Sequence, residues 1–255
     1  MMLYRRFVLV LAATLGLQTG AFAKEEPSDD HWSYTGKTGP SHWAELSKEN
    51  TLCHDGHHQS PVNITKSVKA QLPSLEFNYH PIPLVIENNG HTIKITANQA
   101  GDLKIGEETY HLLQFHTHEP SEEAINGKRS AMVIHLVHQD DNNHLAVVAI
   151  LFDETESGTT NALLDQLVKF LPKRPSEAQQ LQEKIDINQL LPAKKDYYTF
   201  EGSLTIPPCS EGVKWIILKQ HMPITAIDLI QYQKLYPRNA RPLQPLNDRE
   251  VLSSN

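Results

Sequence analysis

Three histidines have the chemistry and the spacing to hold a metal ion. His116 and His118 lie in Gln114-Phe115-His116-Thr117-His118, and His135 lies in Met132-Val133-Ile134-His135-Leu136-Val137-His138. A strand turns successive side chains to opposite faces, so imidazoles at i and i+2 point the same way from a flat, rigid surface. Two such ligands alone hold an ion weakly. A third comes within reach if the strand carrying His135 folds back beside the first, and Asn126-Gly127, between the two apolar runs, is a strong hairpin signal. His135 then faces the way Val133 and Val137 face, and His138 faces away. Three neutral imidazoles without a fourth protein ligand leave a tetrahedral zinc one position open to water, which suits a catalytic rather than a structural site. A closed structural site would draw on a cysteine cluster, and the chain has only two cysteines, far apart. Fourteen histidines occur in all, and an H-x-H pair is often solvated strand surface, so spacing alone leaves both readings open.

The elements that must position these residues read as strands. Residues 84–87, 91–96, 110–118, 131–138, 145–152 and 214–218 are rich in β-branched and aromatic side chains. Helical patches are few and short, the clearest at 161–170. The fold class is therefore mostly β. The breaks at 156–160 and 172–175 are short, as loops within one body are, and no repeat or low-complexity tract divides the chain. A formal charge of −7 and the lack of a basic stripe argue against a nucleic-acid partner.

Residues 1–23 carry Arg5-Arg6, an apolar stretch over 7–17 and then Ala21-Phe22-Ala23, the pattern of a cleaved export signal. That stretch is too short to stay in a bilayer as a spanning helix, and no later run reaches the required length of about twenty apolar residues. The expectation is export to the periplasm or beyond, with residues 24–255 left as a single domain and no membrane span. In an oxidising compartment Cys53 and Cys209 would pair as one disulfide, the alternative being two buried thiols.

The chain also resembles the alpha-class carbonic anhydrases. The similarity runs in order through His31-Trp32-Ser33-Tyr34, Gly39-Pro40-Ser41-His42-Trp43, Gln59-Ser60-Pro61-Val62-Asn63-Ile64, Asn88-Asn89-Gly90-His91, the histidine strands, Gly202-Ser203-Leu204-Thr205-Ile206-Pro207-Pro208-Cys209-Ser210-Glu211-Gly212-Val213-Lys214-Trp215 and Asn239-Ala240-Arg241-Pro242-Leu243-Gln244-Pro245. The resemblance implies a large, mainly antiparallel twisted central sheet with a metal at the foot of a conical cleft. It implies Zn2+ as the cofactor, held by His116, His118 and His135, and reversible hydration of carbon dioxide to bicarbonate and a proton by zinc-bound hydroxide. It matches Thr205 and Glu122 to the threonine and buried glutamate that aim the hydroxide, and His91 to a histidine that relays the proton. Val137, Val147, Leu204 and Trp215 match an apolar wall where carbon dioxide rests, although valine and leucine are more often plain core. Gln114 and the backbone carbonyl of Asn239 match the groups that orient the first two ligands. Bacterial relatives bridge the positions of Cys53 and Cys209, and the resemblance leaves a homodimer open. His54, His57 and His58 read as loop residues.

The chain departs from its relatives around the same site. Val133 stands where they place a glutamate two residues before the third ligand, a loss that by the general rule costs roughly 10- to 100-fold in metal affinity or activity unless another acceptor substitutes. Thr117 replaces an aromatic residue, Ile206 a threonine, and Glu123 a histidine. Glu123 is expected to take over part of the missing acidic role. The competing function is a carbonic-anhydrase-like protein that binds metal or a partner with little catalysis.

Overall fold

The computed structural model describes residues 31–255 except 157 and 159; the segment 1–23 read as an export signal lies outside them. The framework is one large sheet whose strands run in the spatial order Glu177–Ile185, Ile82–Asn88, Ile93–Thr96, Glu108–His118, Met132–Gln139, Leu145–Thr155, Glu211–Leu218, Tyr197–Ser203, Leu252–Ser253 and Val68–Lys69. Parallel pairing within it is confined to Leu145–Thr155 with Glu211–Leu218 and with Met222–Thr225, and to Leu252–Ser253 with Val68–Lys69. The sheet is thus mixed but mainly antiparallel, as expected.

The central strands are apolar because both faces of the sheet are covered, and alternation then chooses which core each side chain enters. Phe115, Ile134, Leu136, Val148 and Ile150 point into the larger core, together with helices Ala162–Val168 and Ala226–Gln233 through Leu163, Leu164, Leu167 and Leu229. Val133, Val137, Val147, Ala149, Trp215 and Ile217 point into a second cluster on the other face. His138 enters the larger core, where the Tyr79 hydroxyl donates to its Nε2 at 2.6 Å and its Nδ1 faces the Ala146 carbonyl at 3.3 Å.

The six expected strands are present, with shifted ends. The strand expected from residue 91 begins at Ile93, because the Asn89 side chain accepts hydrogen bonds from the backbone N–H groups of His91 and Thr92 and makes a turn of them. The expected helix at 161–170 is Ala162–Val168, with the Asn161 side chain accepting from the backbone N–H groups of Leu163 and Leu164.

The hairpin reading needs correction. Asn126 and Gly127 both have positive φ, 51° and 79°, as a two-residue primed turn demands. Their turn, however, closes a small hairpin, Ala124–Ile125 with Lys128–Arg129, which leans on Asn63–Ile64 in a separate sheet. The two histidine strands are adjacent and antiparallel, but a longer excursion joins them.

Candidate metal centre

Strand register gathers the histidines. His135 lies directly opposite His116, and His118 lies opposite Val133, so all three rings stand on the second-cluster face of neighbouring strands. Their candidate ligand atoms lie within 4.8 Å of one another, and no other such group of three occurs among the described residues. His118 and His135 are buried, while His116 is half-buried and forms the open side.

Each ring is held by its far nitrogen. His116 Nδ1 donates to Gln114 Oε1 at 2.9 Å, His118 Nδ1 to the Asn239 carbonyl at 2.7 Å, and His135 Nε2 to Glu123 Oε1 at 3.0 Å. All three partners are acceptors, which places the ring protons on these nitrogens and leaves His116 Nε2, His118 Nε2 and His135 Nδ1 as bare lone pairs. Burial lowers the pKa of His116, with the charges of His118, His135 and Lys94 adding to the effect. Burial likewise lowers that of His118, against the pull of Glu122. Both rings are thereby kept in the neutral form that ligates. For His135 burial also works downward, but the Glu123 and Glu122 carboxylates outweigh it and raise the pKa.

A bound cation fits this donor set. Buried His118 Nε2 has no hydrogen-bond partner, nor has Glu122 Oε2, which lies 3.5 Å from His118 Nε2 and 3.9 Å from His135 Nδ1. Buried polar atoms packed this closely without a hydrogen-bond partner are costly alone, and a dication held by the three ring nitrogens would offset that cost.

The surroundings divide into polar and apolar parts. Glu122 is anchored by the backbone N–H of Arg241, which donates to its Oε1 at 2.8 Å. Arg241 is itself fully buried, donating to Gln59 Oε1 and to the carbonyls of Ser60 and Cys53. Thr205 is buried in the loop after Tyr197–Ser203, but no hydrogen bond joins its hydroxyl to Glu122 among the described residues. That loop is tied down by the Cys53–Cys209 disulfide and by Gln59 Nε2, which donates to the Cys209 carbonyl at 2.9 Å. Val137, Val147 and Trp215 form one apolar cluster with Leu204 packed on it, and the Trp215 ring meets His135 edge-on, centroids 4.9 Å apart. Gly202 lets Trp215 come this close, since a Cβ there would lie 2.7 Å from Trp215 Cδ1.

His91 stacks on Trp32 at 3.6 Å, and the His31 ring also lies against it at 4.9 Å; burial, then the His31 charge, lowers its pKa to about 4. Asn239 joins this region to the metal ligands, because its Nδ2 donates to the His91 and Thr117 carbonyls while its own carbonyl accepts from His118. The readings from sequence assigned no role to Arg241 or Trp32, although both lie inside the quoted motifs. His54 falls in the short helix Leu52–Asp55 rather than a loop.

Comparison with known proteins agrees with this geometry. The family model described as eukaryotic-type carbonic anhydrase matches residues 38–255. A carbonic anhydrase of Neisseria gonorrhoeae is 41% identical over 95% of this chain and 96% of its own length. One from Klebsiella pneumoniae is 40% identical over 87% and 90%. Among solved structures, a hyperthermostable carbonic anhydrase from a hydrothermal vent chimney superposes with a TM-score of 0.82 at 39% identity, covering 88% of this chain and all of that one. Dioscorin, solved in complex with ascorbate, superposes at 0.81 with 30% identity, covering 88% of this chain and 97% of that one.

Proposed function

The chain belongs to the eukaryotic-type, or alpha, carbonic anhydrase family, whose members are lyases, and on that premise we propose that it interconverts carbon dioxide and bicarbonate in a zinc-dependent reaction at His116, His118 and His135. The observation that carries the reading is the convergence of three imidazoles, each with its far nitrogen engaged, beside an apolar wall. Zinc, when bound, supplies a Lewis acid that makes water acidic enough to act as a nucleophile near neutral pH.

The chain's own residues do the rest. Val137, Val147, Leu204 and Trp215 offer carbon dioxide a surface without competing hydrogen bonds, which suits a small uncharged molecule. Glu122, fixed by the Arg241 amide, presents its unpartnered Oε2 to the ligand nitrogens, and for it to serve as terminal acceptor of a chain through Thr205 a Thr205–Glu122 hydrogen bond must form that the structure does not contain. His91 relays the released proton. In its stack on Trp32 it is unprotonated at neutral pH, so the relay requires the ring to leave the stack. Gln114, Asn239 and Glu123 fix the tautomers of the three ligands. The export signal and the disulfide support a periplasmic or secreted protein, and no helix of the described residues is long and apolar enough to cross a membrane.

One observation favours the weaker alternative of a metal- or partner-binding protein with little catalysis: Thr205 and Glu122 are not hydrogen-bonded. Stopped-flow hydration of carbon dioxide by zinc-loaded protein separates the two readings. Turnover that disappears in His116→Ala is expected; wild-type protein no faster than that variant would overturn the proposal.

A further inference from the structure

The row of cross-strand neighbours that contains His135 and His116 continues outward to Lys94 and then Glu87. Direct neighbours in such a row share a face. The alternate residues Ile95, Phe115 and Ile134 are buried in the core on the other side. Lys94 therefore stands on the metal-bearing face one strand from His116, the most open ligand, and opposite the apolar wall. Its Nζ lies 2.8 Å from Glu87 Oε2, and the two side chains are 32% and 35% exposed, so the ion pair is neither buried nor free in solvent.

We propose that Lys94 is the anion-attracting residue of the cleft, setting its affinity for bicarbonate and other monovalent anions, with Glu87 holding the ammonium to the wall and moderating its charge. The inference rests on the reading of the site given above. It follows from an asymmetry in the reaction, in which carbon dioxide is uncharged and the product is an anion. A fixed cation on the wall therefore acts on the product and on competing anions while leaving substrate binding to the apolar side. In a chain of net charge −7, a local positive charge also offsets the general repulsion that an anion meets.

The test uses thiocyanate as the probe on wild-type, Lys94→Gln and Glu87→Gln proteins. Inhibition of carbon dioxide hydration is measured on zinc-loaded protein. Thiocyanate binding is measured independently from the visible spectrum of cobalt-loaded protein, since three imidazoles accept cobalt as well. At low ionic strength the thiocyanate dissociation constant should rise about two- to fivefold in Lys94→Gln and fall by a similar factor in Glu87→Gln, the range of a partly screened single charge. Both differences should shrink as sodium sulfate is added. Opposite signs are the discriminating outcome, because a merely structural role for the pair would move both variants in one direction. Unchanged constants, or shifts of the same sign, overturn the inference. If the wild-type protein fails to hydrate carbon dioxide, the functional reading falls, while the cobalt titration still decides the role of Lys94.

Discussion

Removing the charge of Glu123 should weaken zinc binding by a predictable amount. Glu123 is 1% exposed and its Oε1 lies 3.0 Å from His135 Nε2, with no other carboxylate on that nitrogen. In Glu123→Gln the amide oxygen still accepts the ring proton, so what is lost is the difference between a charged and a neutral acceptor. That difference is about 1 to 1.5 kcal/mol, or roughly tenfold in a dissociation constant. Glu123→Val goes further and leaves a buried N–H without an acceptor, adding about 1 to 3 kcal/mol and bringing the loss to about 30-fold or more. The carboxylate can also be moved. Val133 is two residues from His135 on the same face of its strand and fully buried, and it is where relatives carry their acid, so Glu123→Val combined with Val133→Glu should recover most of the affinity. Competition with a chelator of known zinc affinity at neutral pH measures all three. Wild-type affinity in Glu123→Gln would refute the role of Glu123, and a double variant no better than Glu123→Val would refute the account of the relocated acid.

Further consequences can be checked separately. In Trp32→Ala the His91 ring loses its stacking partner, so its pKa, followed by proton NMR, should climb from about 4 towards 6.5; a value that stays low would assign the burial to other neighbours. His138, buried on the far side of the sheet, has its pKa lowered by burial to about 4 from 6.5. The unfolded chain therefore takes up its proton first, and the stability this histidine contributes is present above about pH 6.5 and lost as pH falls towards 4, by about 3 kcal/mol. Denaturant titrations at pH 7, 5 and 4 should show that slope flattened in a Tyr79→Phe, His138→Leu double variant. Replacing both Cys53 and Cys209 by serine should cost about 2 to 4 kcal/mol of stability. It should leave zinc affinity nearly unchanged, because no ligand lies on the loop the disulfide holds, while turnover falls as Thr205 loosens; a large loss of zinc would contradict that division.

Residues whose function depends on strand alternation were legible in the sequence, and residues whose function depends on how distant segments meet were not. His116, His118, His135 and the opposite-facing His138 followed from period-two geometry, and the structure places each ring on its expected face, His138 in the larger core. The strand Glu177–Ile185 is not evident from sequence because six of its nine side chains are glutamines, glutamates and a lysine on a half-exposed edge, where no apolar alternation is needed. Helix Ala226–Gln233 is not among the expected elements either, although the reciprocal Thr225 and Asp228 bonds at its start are a readable capping signal. The hairpin signal was misread for an instructive reason. Asn126-Gly127 encodes a turn and not what the turn is for, and the obvious use was to join the two histidine strands. Its use lies instead in the excursion between them. There Ala124–Ile125 pairs with Lys128–Arg129, the Arg129 guanidinium donates to the Ser121 carbonyl, and the Ser121 hydroxyl donates to the Glu123 carbonyl. These bonds fix the backbone at Glu123, twelve positions before His135 in sequence and 3.0 Å from it in space. An acid on the strand itself would be aimed by the sheet alone. One delivered from a connecting segment needs that segment to be rigid, and the small sheet under the turn supplies the rigidity.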